Sequence, residues 1–280
     1  RKNIDTQEII IKTRCDMKGG VRRKKESSQL IENETVLETI RKYLSVRDTE
    51  KKLFGEVFTP VELVCEMLDK LPKDVWKNPK LKWLDPANGI GNYPVVAYYK
   101  LMEGLKDVAG YKTKEVRSKH IIENMLYMVE LNPVNVKVCR KIFKMIDNKA
   151  EPKISNSNTL TEEVKWKRKF GIDKFDIIMG NPPYNQGGTG KHGEKGLDNK
   201  FTLMSLNLLN KDGYLVFITK TGIRSLMLKT EKNEIINNIN NLNLLYSKVF
   251  DFDKNPFNEN VLKNYFIIKN KKTLNFDTTF

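Results

Sequence analysis

The sequence is poor in the side chains that most metal and disulfide chemistry needs. Two histidines, His120 and His192, argue against a histidine-built metal site. The three cysteines, Cys15, Cys65 and Cys139, are odd in number and far apart. That argues against a disulfide framework or a structural zinc site, and it fits a reducing, intracellular compartment. No apolar run reaches the roughly 20 residues that a membrane helix needs, and no signal-peptide core stands near Arg1. A first residue that is not methionine points to a fragment or a trimmed chain. Acidic side chains are in deficit, with 35 Asp and Glu against 50 Lys and Arg, a formal charge of +15. Such a balance favours a polyanionic partner, although a soluble basic protein would show it too.

What is present is an alternation of apolar runs and amphipathic stretches over 280 residues. Strands are expected at 81–85, 125–130, 153–155, 175–179, 213–219, 244–250 and 265–268, with helical patterns between most of them. That alternation predicts an α/β fold with a mostly parallel sheet. Residues 1–50 read as a basic N-terminal extension with one helix from Asn33, and residues 51–280 as the α/β domain. The charged stretch 104–120 is expected to be a surface excursion.

Four places carry chemistry. Asn181-Pro182-Pro183-Tyr184 follows a buried strand pattern ending at Gly180. Two prolines stiffen the backbone there and hold a polar side chain and a ring just beyond a strand end, where open α/β sheets place ligands. Phe54 to Glu62 ends in a helix start, with Thr59 as the expected N-cap, Pro60 at the first helical position and Glu62 closing a capping box. A rigid helix N-terminus is also a natural seat for a carboxylate. Leu84-Asp85-Pro86-Ala87-Asn88-Gly89-Ile90-Gly91-Asn92 is a strand–loop–helix crossover whose glycines allow close backbone approach. It lacks the lysine of a phosphate-gripping loop and the third glycine of the dinucleotide fingerprint. Glu130 ends the second strand, where an acid can accept both hydroxyl protons of a ribose. The glycine-rich run 185–196 reads as a loop that closes over the site or touches nucleic acid, with Lys191 and Lys195 as phosphate contacts; a plain linker is the other reading.

Together these stretches resemble the gamma-class amino-methyltransferases of DNA, which use S-adenosylmethionine to methylate adenine N6. Gly55 to Pro60 resembles the family's motif X, Leu84 to Asn92 motif I, the strand ending at Glu130 motif II, Asn181 to Tyr184 motif IV and Phe257 to Val261 motif VIII. The resemblance covers about Phe54 to Lys271. It implies a Rossmann-like methyltransferase fold of seven strands, the last antiparallel. It implies a cofactor site of Phe58, Thr59, Pro60, Asp85, Ala87, Gly89, Gly91, Glu130 and Asn158, with no metal. Asn158 stands where an acidic residue is usual and would face the cofactor's adenine, its amide accepting from the amino group; Asn88 and Ile90 replace the usual cysteine and serine.

For catalysis the resemblance implies Asn181, Pro182, Pro183 and Tyr184. The Asn181 side-chain oxygen and the Pro182 carbonyl would accept the two protons of an adenine amino group, with placement and electrostatics supplying the rate. Tyr184 would stack on a flipped-out base, and Phe257 would give a second face. The expected partner is DNA, joined by a specificity or restriction subunit or by a target-recognition domain outside this chain, since none is evident within it. Two alternatives stand beside this reading. One is an amino-methyltransferase for RNA or a protein glutamine; the other is a non-catalytic methyltransferase-like subunit that binds DNA or supports assembly.

Overall fold

A computed structural model of the protein describes residues 59–186, 194–220, 242–250 and 263–271. The expected N-terminal helix, Phe58, Lys191, His192 and Phe257 lie outside the described residues. In chain order the described elements are α1 (Val61–Leu68), a 3-10 turn (Lys73–Lys77), β1 (Trp83–Asp85), α2 (Asn92–Gly104) and α3 (Lys114–His120). There follow a π turn (Ile121–Met125), β2 (Leu126–Glu130), α4 (Pro133–Ile146), β3 (Lys153–Asn156), α5 (Glu163–Phe170) and β4 (Phe175–Gly180). The remainder are β5 (Asn185–Gln186), β6 (Glu194–Lys195), α6 (Leu197–Leu208), β7 (Leu209–Thr219), β8 (Leu242–Val249) and β9 (Asn264–Asn270).

Seven strands form one sheet in the order β3-β2-β1-β4-β7-β9-β8. The first five pair in parallel, and β9 is antiparallel to both β7 and β8. This is the expected Rossmann-like architecture with an antiparallel last strand. The central strands are long enough in apolar residues to be covered on both faces, as parallel strands require.

Because successive strand side chains point to opposite faces, each strand feeds two cores. Trp83, Met128, Ile154, Ile177, Met179, Val216 and Ile267 pack with α1, α2 and α4 on one side. Leu84, Tyr127, Val129, Ile178, Leu215, Phe217 and Phe266 pack with Trp166 and Phe170 of α5 and with Leu197, Phe201 and Leu208 of α6 on the other. Phe175 breaks the alternation. The register with β7 shifts between Phe175 and Ile177, which returns the ring to the second face.

Three local features differ from expectation. Thr59 does not cap α1: Pro60 is the N-cap, its carbonyl accepts from Leu63 and Val64, and no side chain caps the helix. The Asn92 side-chain amide donates to the Thr59 carbonyl at 2.7 Å, which draws Thr59 inward toward α2 instead. Residues 104–120 are more than a surface excursion, because Arg117 and Ser118 are buried. Ser118 joins Tyr98 of α2 to Asp147, accepting from the phenol at 2.9 Å and donating to the carboxylate at 2.7 Å. Finally, the ends of the glycine-rich run are tied together, since Asn185 pairs with Lys195 and Gln186 with Glu194 in a short antiparallel ladder.

Helix α5 links packing to the site. Trp166 is fully buried, and its indole N–H donates to the Thr159 carbonyl at 3.1 Å. The Thr159 hydroxyl in turn donates to the Pro86 carbonyl at 2.6 Å, bracing the loop after β1. Val164, two residues before Trp166 on the same helix, is 70% exposed. Trp166→Ala is therefore expected to cost about 3–5 kcal/mol in denaturant unfolding, as large aromatic truncations do. Val164→Ala should stay within about 0.5 kcal/mol, as exposed substitutions do. Equal losses in the two variants would contradict this placement of the core.

Candidate active site

Strands β1 and β4 lie side by side at the centre of the sheet, and from them the strand order runs outward both ways. The chain leaves β1 for α2 on one face, and after β4 it reaches α6 on the other. A crevice is left at the carboxyl ends of the two strands, the position at which open α/β sheets bind ligands. Asp85 closes β1 and Gly180 closes β4. A Cβ on Gly180 would sit 2.9 Å from Asp85 Oδ1, so only glycine lets the carboxylate lie against the end of β4.

The loop after β1 is held by its own backbone donors. Ala87 N–H donates to Asp85 Oδ1 at 3.1 Å and Asn88 N–H to the Val129 carbonyl at 3.1 Å. Gly89 N–H donates to Glu130 Oε2 at 2.7 Å, while Asn132 N–H donates to Glu130 Oε1 at 2.7 Å. Gly91 then caps α2 with φ 102°, a left-handed conformation that favours glycine. Glu130 is thus buried and oriented from both sides.

Among the described residues, Thr59 Oγ1 and Asn88 Oδ1 are buried in this crevice without a hydrogen-bond partner, and so are two further acceptors, Asp85 Oδ2 and Asn92 Oδ1. Unmet buried acceptors are costly, and both ask for a donor. Burial pushes the Asp85 carboxyl well above the usual carboxylate range; the Ala87 N–H opposes this shift and the nearby Glu130 charge adds to it. A cationic group with several N–H donors, such as the ammonium of an amino-acid moiety, matches this donor demand. Asn92 was not among the expected cofactor residues. Its place in the first turn of α2, directly after Gly91, was the available signal.

Asn158 behaves differently from expectation. Its side-chain oxygen accepts from the backbone N–H of Leu160 at 3.1 Å and of Thr161 at 3.2 Å. Both lone pairs of that oxygen are thereby engaged, so what Asn158 offers a ligand is its NH2 group as a donor. An adenine amino group would need an acceptor; a ring nitrogen would suit Asn158 better.

At the end of β4, Asn181 is half-buried and Tyr184 is buried. The Tyr184 hydroxyl donates to Asn181 Oδ1 at 2.6 Å. Pro182 is buried and Pro183 half-buried between them, and the Tyr184 carbonyl accepts from Leu197 N–H at 3.1 Å, tying the turn to α6. Lys263, only 1% exposed, places its ammonium 4.9 Å from the centre of the Tyr184 ring. Sequence reasoning did not single out Lys263, because a lysine after a polar loop reads as a solvated one. Lys195 lies in β6 opposite Asn185. No group of three or more His, Cys, Asp or Glu among the described residues is arranged to hold a metal ion.

The comparisons with known proteins follow this geometry. An uncharacterized adenine-specific methylase of Mycoplasma pneumoniae is 28% identical over 260 residues, covering 66% of this chain and 61% of its own. The type II methyltransferase M.VspI of a Vibrio species is 25% identical over 185 residues, covering 62% of this chain and 39% of its own. The chain therefore spans less than two thirds of either relative. Among solved structures, the M protein of the type I restriction enzyme EcoKI superposes with a TM-score of 0.53 at 17% identity, over 78% of this chain and 44% of that one. The type IIL restriction-modification enzyme MmeI, solved in complex with DNA, gives 0.54 at 16% identity, over 83% and 39%. At these identities the structures share the fold. The family model described as N-6 DNA methylase matches residues 38–275, and with that match over most of its length the chain belongs to the N-6 DNA methylase family.

Proposed function

We propose that this domain transfers a methyl group from S-adenosylmethionine to the N6 amino group of an adenine turned out of duplex DNA. The observation that carries the reading is the juxtaposition at the β1–β4 crevice. Unmet acceptors on Asp85 and Asn92 stand at one strand end, and the Asn181–Tyr184 pair stands at the other. When bound, S-adenosylmethionine supplies an electrophilic methyl group on a positively charged sulfur. Asp85 and Asn92 would hold its ammonium, Glu130 the ribose hydroxyls, and Asn158 NH2 a ring nitrogen of its adenine. Phe58, Thr59, Pro60, Ala87, Gly89 and Gly91 complete the proposed cofactor site.

The chain's own contribution to chemistry is made by Asn181 and Pro182. An adenine amino group is a weak nucleophile because its lone pair is delocalised into the ring. Two acceptors, the Asn181 side-chain oxygen and the Pro182 carbonyl, would bind its two protons and favour a tetrahedral nitrogen whose lone pair points away from the ring. Such placed hydrogen bonds act most strongly in a site that excludes water. Tyr184 would bear the base, with Phe257 on the other face and Lys191 and Lys195 on DNA phosphates. Target choice is assigned to a recognition domain or specificity subunit outside these residues.

Two outcomes are expected. Asn181→Ala should reduce transfer of labelled methyl groups to unmethylated DNA by roughly 100- to 1000-fold, the range for loss of one preorganised hydrogen-bonding group, while leaving cofactor binding in calorimetry unchanged. Label reaching only RNA or protein in the parent protein would overturn the DNA assignment. The second outcome concerns pH. The free-protein pKa of Asp85 is raised, so binding a cation there favours its ionised form and releases a proton. Affinity for S-adenosylmethionine should therefore rise as pH rises through that elevated pKa and then level off. Calorimetry in buffers of different ionisation enthalpy would count the proton. In Asp85→Asn both the proton release and this pH dependence should vanish, and their persistence would count against Asp85 as the ammonium's partner.

A further inference from the structure

The base-binding half of the site is filled by the protein's own groups. Lys263 immediately precedes β9, whose first residue, Asn264, pairs with Thr219 at the end of β7. Because Gly180 pairs with Phe217 of the same strand, Lys263 lies at the carboxyl edge of the sheet beside the Asn181–Tyr184 turn. The Lys263 carbonyl accepts from Phe250 N–H at 2.9 Å, which fixes its backbone against the end of β8. From there its side chain runs inward, 1% exposed, to put the ammonium over the Tyr184 ring at 4.9 Å. On the same tyrosine, the hydroxyl donates to Asn181 Oδ1 at 2.6 Å.

Resting on the methyltransferase reading of the site, we infer that Lys263 and the Tyr184 hydroxyl hold the places of the target base, and that inserting a base moves the Lys263 ammonium onto a DNA phosphate. The ammonium lies over a ring that the base is to stack upon. The hydroxyl proton occupies one of the two lone pairs on the oxygen that the base's amino group is to use. A buried cation over an aromatic ring and a base stacked on one are attractions of similar size. Between those two attractions the exchange is nearly balanced, and where the displaced charge goes then weighs on it. A phosphate beside the turned-out nucleotide would receive the displaced charge. A free nucleoside brings the same ring but no phosphate. Lys263 thereby makes the pocket answer to a polynucleotide rather than to adenine alone. It is a positioning and selection residue rather than a catalytic one.

Lys263→Met keeps the stem and removes the charge, and Lys263→Gln serves as a second variant if the first does not fold. The binding probe is deoxyadenosine, titrated into protein saturated with S-adenosylhomocysteine so that the cofactor pocket is closed to it. Removing the ammonium should tighten deoxyadenosine binding about 2- to 30-fold, the span of cation–π strength from exposed to desolvated sites. Adding Tyr184→Ala should abolish the gain. With duplex DNA, the slope of log kcat/KM against log salt should become shallower by about 0.9, the value for one phosphate contact, and Lys263→Arg should restore it. A purely structural role for Lys263 would lower the melting temperature and leave both the nucleoside affinity and the salt slope unchanged. That result in a folded variant would overturn the inference. Failure of the parent protein to methylate DNA would instead overturn the reading beneath it.

Discussion

The Glu130 carboxylate is the fastening on which the crevice depends. One oxygen takes the N–H of Gly89 from the loop after β1, and the other takes the N–H of Asn132 at the start of α4. Two strands that already pair in parallel are thereby joined at their carboxyl ends, where neighbouring loops would otherwise be free to part. The third strand is held to the same residue through its backbone, because the Asn156 side-chain amide and the Ser157 N–H both donate to the Glu130 carbonyl. Thr159 then reaches back to Pro86, and Trp166 anchors Thr159 to the second core. The carboxylate thus joins the loop after β1 to the start of α4, while β3 and α5 are held to the same region through backbone carbonyls.

The sheet was legible in the sequence because parallel central strands must be apolar on both faces, and 126–130 and 175–180 announce themselves as continuous runs. The sharp ends of those strands, marked by Glu130 and Gly180, placed the candidate residues at one edge. Shorter-range detail was less legible. Thr59-Pro60 carries a strong cap signal, yet Asn92, far away in sequence, pulls Thr59 inward. Such tertiary competition leaves no local trace. The two-residue ladder of β5 and β6 is too short to show periodicity, and the charged stretch before β2 hides buried polar contacts at Arg117 and Ser118.

Site residues divide along the same line. Asp85, Glu130 and Asn181 were recognisable because each stands at or just beyond the end of an apolar strand. Asn158 was recognisable by position, but its oxygen is spent on a turn, so its chemistry toward a ligand is that of a donor. Lys263 was not recognisable, since nothing in a sequence distinguishes a lysine drawn over an aromatic ring from one in solvent. The division has a physical basis. Strand ends are set by local pattern, whereas the partner of a long cationic side chain is set by which distant element packs beside it.

The site also shows two kinds of readiness. Its proposed cofactor half has unmet acceptors at Asp85 and Asn92, a condition that a cationic ligand would relieve. Its proposed base half is occupied by the Tyr184 hydroxyl on Asn181 and the Lys263 ammonium over the Tyr184 ring, groups that a base would displace. The most direct measurement of the central claim is nucleoside mass spectrometry of unmethylated DNA incubated with the protein, its recognition partners and methyl-labelled S-adenosylmethionine. The account predicts label in N6-methyladenine. Label confined to N4-methylcytosine, or to RNA or protein in parallel reactions, would contradict it.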